Sequence, residues 1–231
     1  MFPSVQTNFR GFNTKFEGCI PFMYLDIKGL VTVAVGNLVD PIELAQALPF
    51  QFKNKPGIAS PGSPATQDQI AAEWKALKNN SSLATRGFRA CEPITELELN
   101  DDSIDSLISD RLTRNESFLK RQQTFQDFDD WPADAQLGLL SMAWAMGPAG
   151  PAQFPHFRAA CQNLDFNTAA AECKMNEAGN PGLIPRNRAN ATLFSNAAVV
   201  VASEARDALQ RSNLFYPRAL TTADIAPGAT S

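Results

Sequence analysis

Residues 16–37 read FEGCIPFMYLDIKGLVTVAVGN, and this stretch decides how the N-terminal part of the chain folds. Over residues 22–36 the alternation of residues is typical of β-strands, with three valines at alternate positions after a turn at Gly29. The stretch therefore predicts a β-hairpin. Glu17 stands just before it and Asp26 lies within it, so the two carboxylates are either a working pair or two unrelated acids.

Composition places the chain among ordinary globular proteins. It has 231 residues, of which 44% are apolar and 19% charged, and its 16 Phe against two Tyr predict a core packed mainly with Phe. The net charge of −4 argues against nucleic acid, which calls for a basic face. The longest apolar run, residues 137–146, is about half a membrane span, so no membrane insertion is expected.

The N-terminus lacks the charged-then-apolar pattern of a secretory signal. Three situations fit this pattern. The protein stays in the cytoplasm of its maker, it is exported by a route that needs no cleavable leader, or it is a domain of a longer polypeptide.

The cysteines and the single histidine predict neither a metal site nor a cofactor. The four cysteines have no CxxC spacing, and His156 has no second histidine to act with. Cys161 and Cys173 would meet if their two short helices pack antiparallel. They are then either a disulfide or two buried free thiols.

The rest of the chain is predicted to be helical. Asp40 is expected to cap a helix that begins at Pro41, and Thr66 to cap the helix after a Pro-, Gly- and Ser-rich loop over 51–67. ITELELN is compatible with a short strand. Further helices are expected over 4–18, 102–123, 135–147, 154–163 and 167–176, and from Pro185 to residue 209.

These elements predict an α+β, mainly α-helical fold with a small N-terminal hairpin lobe, a larger helical lobe and a cleft between them. We expect one domain over residues 1–231. Its parts are a hairpin lobe over about 1–65, connecting helices over about 66–130, a helical lobe over about 131–220, and a disordered tail over 221–231.

The order of residues in the opening stretch adds to this picture. Between Glu17 and Gly36 it runs E-G, then Y-x-D-x-x-G-x-x-T-x-x-x-G. This resembles the active-site segment of the phage-type lysozymes, glycoside hydrolase family 24, with the same intervals from Glu to Asp and from Asp to Thr. Residues 137–147 and 182–194 loosely resemble the central and last helices of that family. The resemblance covers residues 10–40 well and about 135–195 loosely, and residues 50–130 are longer than a minimal member needs.

The chain also departs from the family pattern. Ala34 stands where a hairpin glycine is usual, and Asn37 replaces a histidine, so the charged pair which that histidine forms is not expected here. Ala145 replaces the usual asparagine of the central helix. Asn187 and Asn190 replace an arginine and a glutamate of the last helix.

The resemblance implies a peptidoglycan muramidase. Glu17, at a helix end facing an apolar cleft, would be the general acid, and Asp26 with Thr32 would hold the attacking water, giving hydrolysis with inversion. Tyr24, Asn37 and Leu38 are expected either to line the cleft as substrate-binding residues or to pack within the hairpin. The substrate would be the glycan strand, cut at the β-1,4 bond between N-acetylmuramic acid and N-acetylglucosamine.

Two biological roles fit such an enzyme, which is expected to act as a monomer in the periplasm or cell wall of a bacterium. A phage endolysin is released by a holin. An antibacterial effector is injected into a rival, for example by type VI secretion, and its immunity protein would plug the cleft. The acidic charge, the segment over 50–130 and the ends of the chain favour the effector. Two alternatives are a non-catalytic wall-binding module of the same fold and a chitin-directed glycosidase.

Overall fold

The structure is a computed structural model, and it describes residues 1–203 and 210–225. The protein is mainly helical with a small N-terminal antiparallel sheet, as the sequence predicts, and it contains a second, two-stranded antiparallel sheet that the sequence does not predict. The end of the last predicted helix, 204–209, and the last part of the predicted tail, 226–231, lie outside the described residues. The elements are α1 (Pro3–Glu17), β1 (Ile20–Leu25), β2 (Val31–Ala34), β3 (Asn37–Leu38), α2 (Ile42–Gln46), β4 (Gln51–Phe52), α3 (Gln67–Asn79), α4 (Phe88–Cys91), β5 (Leu97–Glu98), α5 (Asp101–Lys120), α6 (Ala133–Met146), α7 (Pro155–Gln162), α8 (Phe166–Glu172) and α9 (Leu183–Ser203).

The chain forms two compact units, a hairpin unit over residues 17–109 and a helical unit over residues 1–16 and 110–231. These bounds differ from the predicted boundary near residue 65. Helix α3 packs against β1 and β2, so much of the predicted connecting segment belongs with the hairpin. In the other unit, the rings of Phe9 and Trp144 lie 5.0 Å apart, which ties the start of the chain to α6.

Helix α3 begins where its sequence predicts. The Thr66 side chain accepts a hydrogen bond from the backbone N–H of Gln69, and the Gln69 side chain accepts one from the N–H of Thr66. From the middle of this helix, Trp74 donates its indole N–H to the carbonyl of Val39 at 2.9 Å. The helix is therefore capped locally and joined to the segment after β3.

Asp40 is not the cap that the sequence predicts, because α2 begins at Ile42 and Pro41 precedes it without a capping side chain. Asp40 Oδ2 instead accepts hydrogen bonds from the Val31 N–H at 3.3 Å and from Lys78 Nζ at 2.7 Å. A carboxylate that already has these partners is turned towards β2 and α3, away from the helix start.

Helix α6 is the buried centre of the helical unit, and α9 packs along it. A Cβ added at Gly138 would lie 3.0 Å from the Phe194 ring, so the glycine allows the two helices to approach closely. Fully buried phenylalanines and one tryptophan fill the space around them: Phe125, Phe128, Phe157, Phe166, Phe194 and Trp131. The Phe-rich core predicted from composition is confirmed.

Cys161 and Cys173, which the sequence predicts to lie close together, are free thiols. Helices α7 and α8, which end near Cys161 and Cys173, pack against each other. Burial raises the pKa of both thiols, that of Cys173 to about 12. None of the helices in the described residues is long and apolar enough to cross a membrane.

Candidate active site

Three of the predicted site residues lie on one face of the small sheet. The register pairs Tyr24 of β1 with Thr32 of β2, and Thr32 with Leu38 of β3. Directly opposed residues of antiparallel strands point to the same face. Tyr24, Thr32 and Leu38 therefore form a row across the sheet, which we call the hairpin face.

Asp26 extends this row at the end of β1, two residues beyond Tyr24. Its Oδ1 accepts hydrogen bonds from the backbone N–H groups of Lys28 at 2.8 Å and Leu30 at 2.9 Å, which fixes the carboxylate against the turn. Within the described residues its Oδ2 has no hydrogen-bond partner. One oxygen of Asp26 thus shapes the turn, and the other is available to a ligand or a water molecule.

Thr32 is buried on the hairpin face, with 6% of its surface exposed. Its hydroxyl donates a hydrogen bond to the Leu30 carbonyl at 3.3 Å. Because the proton points to Leu30, the lone pairs of Oγ1 remain available to accept a hydrogen bond.

Glu17 is the last residue of α1, and its carboxylate lies against the turn between β2 and β3. A Cβ added at Gly36 would be 3.8 Å from Glu17 Oε2, and Gly36 has a φ of +76°. Gly36 is therefore required by its left-handed backbone, and the carboxylate lies at an ordinary contact distance from it. The Glu17 side chain is exposed.

The charges of both acids, Glu17 and Asp26, act on the phenol of Tyr24. Burial, followed by the charges of Glu17 and Asp26, raises the pKa of its phenol to about 12. Its ring also packs edge-on against Phe88 of α4, with 6.3 Å between the ring centres. Glu17 and Asp26 therefore act on the same hydroxyl from the end of α1 and the end of β1.

Asn37 does not join the hairpin face. It precedes Leu38 in β3, so its side chain points to the opposite face of the sheet, where 7% of its surface is exposed. Its Oδ1 is buried and has no hydrogen-bond partner in the described residues. Leu38, in contrast, is 50% exposed beside Thr32 and can contact a ligand.

Ala34 holds a backbone conformation that favours glycine. Its φ is +56°, in the left-handed region that a Cβ makes costly by about 1–2 kcal/mol. The backbone at the end of β2 therefore has the conformation that suits a glycine, although the residue there is an alanine.

Lys78 is a supporting residue that the sequence did not single out. From the last turn of α3, its Nζ donates to the Gly29 carbonyl at 2.9 Å and to Asp40 Oδ2 at 2.7 Å. It joins the turn that carries Asp26 to α3. A lysine 49 residues from its partner gives no local signal.

A scan of the chain against protein-family models gives no match, and a search of curated proteins gives none either. The likeness to the phage-type lysozymes therefore rests on the residues themselves. Among the described residues, no three His, Cys, Asp or Glu side chains come together in a way that could hold a metal ion. The chemistry within reach of the hairpin face is that of two carboxylates, a hydroxyl and a phenol.

Proposed function

We propose that the protein is a peptidoglycan hydrolase of lysozyme-like fold, which cleaves the β-1,4 bond between N-acetylmuramic acid and N-acetylglucosamine. The observation that carries the proposal is the placement of Asp26 and Thr32 in one row on the hairpin face, with Glu17 at the adjoining turn. Hydrolysis of a glycosidic bond needs two carboxyl groups on opposite sides of that bond.

In the proposed reaction, Asp26 and Thr32 hold the attacking water. The water donates one hydrogen to Asp26 Oδ2 and the other to Thr32 Oγ1, the two acceptors that their present bonds leave available. Its lone pair is then directed at the anomeric carbon, and the carboxylate of Asp26 takes the proton as the bond to carbon forms.

Glu17 protonates the leaving oxygen. Since its side chain is exposed in the free protein, the sugar strand itself supplies the cover that removes water from the carboxyl group. Leu38, half-exposed on the same face, offers an apolar contact to a sugar ring, and Tyr24 stands between the two acids as a binding residue.

Within this proposal, the protein is the lysozyme domain of an antibacterial effector that acts in the periplasm of a rival cell. The acidic net charge and the long segment over 50–130 support that role over a phage endolysin. An effector gene is expected beside an immunity gene whose product covers the hairpin face, whereas an endolysin gene is expected beside a holin gene.

The test is turbidity clearance of purified peptidoglycan by wild type, Glu17→Gln and Glu43→Gln. Glu43 is an exposed glutamate of α2 that is not part of the hairpin face, and its variant carries the same loss of charge. We expect Glu17→Gln to lose about 10²–10⁴-fold in rate and Glu43→Gln to clear at the wild-type rate. Circular dichroism of each variant verifies the fold.

Clearance by Glu17→Gln at the wild-type rate would overturn the assignment. Sedimentation of the wild-type protein with peptidoglycan, without release of reducing sugar, would identify a wall-binding module. Release of sugar from N-acetylglucosamine oligomers but not from peptidoglycan would identify a chitin-directed enzyme.

Proton NMR of the product during the first minutes tests the stereochemistry. Inversion yields the α-anomer at the new reducing end, and retention yields the β-anomer. The β-anomer as first product would contradict the role of Asp26 and Thr32 as holders of water.

A further inference from the structure

A pocket lies in the hairpin unit, and no residue of the hairpin face lines it. It has a volume of about 400 Å³, within the range of small-molecule sites. Its walls come from α3, β4, β5 and the turn before β5, all inside residues 17–109. The lining residues are Phe52, Gln69, Ala72, Glu73, Ala76, Pro93, Ile94, Glu96 and Leu97.

Glu73, one of the two acids that line this pocket, has a structural role for only one of its two carboxylate oxygens. Its Oε2 accepts hydrogen bonds from the backbone N–H groups of Glu96 at 2.5 Å and Leu97 at 3.0 Å, at the start of β5. Its Oε1 is buried without a hydrogen-bond partner in the described residues, and only 8% of the residue's surface is exposed. A buried polar atom without a partner calls for a physical explanation.

The structural role of Glu73 does not need a charge. A glutamine in the same rotamer would accept the same two N–H bonds through its amide oxygen, without the cost of burying an ionisable group. Burial raises the pKa of Glu73 to about 7, against the lowering effect of those two bonds and of the Lys53 charge. The acid is therefore held in the range where it changes charge near neutral pH.

Lys53, the lysine that acts on Glu73, already has hydrogen-bond partners of its own. Lys53 Nζ donates to the Thr95 carbonyl at 2.9 Å and to its hydroxyl at 2.6 Å, and lies 4.2 Å from the centre of the Phe22 ring. The other charged groups that act on this pair are Lys55, Glu92, Glu96 and Glu98. The residues that line the pocket include two acids and no base, so its surplus charge is negative.

We propose that this pocket binds a primary ammonium group carried on a short aliphatic chain. The chain packs on the apolar walls, and the cation balances the carboxylate of Glu73, with Glu96 at the exposed side adding to the attraction. A neutral alcohol of the same length gains the apolar contact alone. A fatty acid is repelled.

Calorimetric titration at pH 8 with pentylamine, and with pentan-1-ol as its neutral counterpart, tests the proposal. We expect pentylamine to bind at least tenfold more tightly than pentan-1-ol, and to bind more weakly at pH 5.5, where Glu73 is protonated. Nα-acetyl-lysine methylamide, titrated in parallel, tells a peptide side chain from a free amine as the source of the ammonium.

Two variants and one control assign the binding to this pocket. Glu73→Gln keeps the acceptor for the two N–H bonds and is expected to weaken pentylamine binding at least tenfold. Ala72→Leu, at an exposed helix position on the pocket wall, is expected to block both ligands. Glu43→Gln removes an exposed carboxylate outside the lining and is expected to leave the affinity within twofold.

Equal affinity for amine and alcohol, or unchanged amine binding in either pocket variant, would overturn the proposal. If Glu73→Gln does not fold, Ala72→Leu alone decides. The site is independent of the proposed hydrolase, so Glu17→Gln is expected to bind pentylamine like the wild type even where wall clearance is lost.

Discussion

Asp26 and Glu73 show the same local arrangement in two surroundings. Each carboxylate gives one oxygen to two backbone N–H groups and has a second oxygen without a hydrogen-bond partner in the described residues. Asp26 is half-buried at a turn, whereas Glu73 is buried between α3 and β5. The bonded oxygen explains the local structure in both cases, so the function of each acid is set by what surrounds its second oxygen.

Of the changes that distinguish the role of Asp26 from that of Glu73, Asp26→Asn should have the largest effect. The amide oxygen keeps both turn hydrogen bonds, so we expect the free energy of unfolding to change by less than about 1 kcal/mol. The rate of wall hydrolysis should fall about 10²–10⁴-fold, because the amide cannot take the proton of the water. Turbidity clearance and urea unfolding measure the two quantities.

Asp68→Asn is the matched control, since Asp68 is an exposed aspartate in the first turn of α3. It should clear peptidoglycan at the wild-type rate. A loss of both rate and stability in Asp26→Asn would mean that this acid serves the turn alone, and the difference from Glu73 would disappear.

The charge of Glu73 should appear in the pH dependence of stability. Its pKa in the folded protein is about 7 against an ordinary 4.5, so the folded state binds more protons than the unfolded state between these values. Its contribution is fully present below about pH 4.5 and is lost as pH rises through 7, by up to about 3 kcal/mol.

Glu73→Gln does not titrate, so urea unfolding at pH 5 and at pH 8 isolates this contribution. Relative to the variant, the wild type should lose stability between these two pH values. A constant difference between the two proteins would show that Glu73 is not held as a buried acid.

The same contrast explains what the sequence could and could not predict. Asp26 and Thr32 lie within six positions along the chain, and both strand pairing and turn chemistry are local, so a sequence pattern is able to indicate that they lie close together. Thr66 at the start of α3 was confirmed for the same reason. Glu73 bonds to residues 23 and 24 positions away, and no spacing indicates such a contact.

The error at Asp40 also comes from contacts that depend on packing. Asp40 has the residue type of a helix cap, but Val31 and Lys78 compete for its carboxylate, and these contacts depend on how α3 packs. Asn37 was expected either to line the cleft or to pack within the hairpin, and the alternation of the strand places its side chain on the face opposite Leu38.

The smallest expected effect tests whether the left-handed backbone at Ala34 is strained. Ala34→Gly should relieve the left-handed strain of about 1–2 kcal/mol, offset by the larger entropy that a glycine loses on folding, for a net gain of about 0–1 kcal/mol. Ala47→Gly, at an exposed alanine with a φ of −74°, has only the entropic loss and should destabilise slightly. Urea unfolding of the two variants should therefore give opposite signs, or a value near zero for Ala34→Gly. If both variants lose stability equally, Ala34 is not strained.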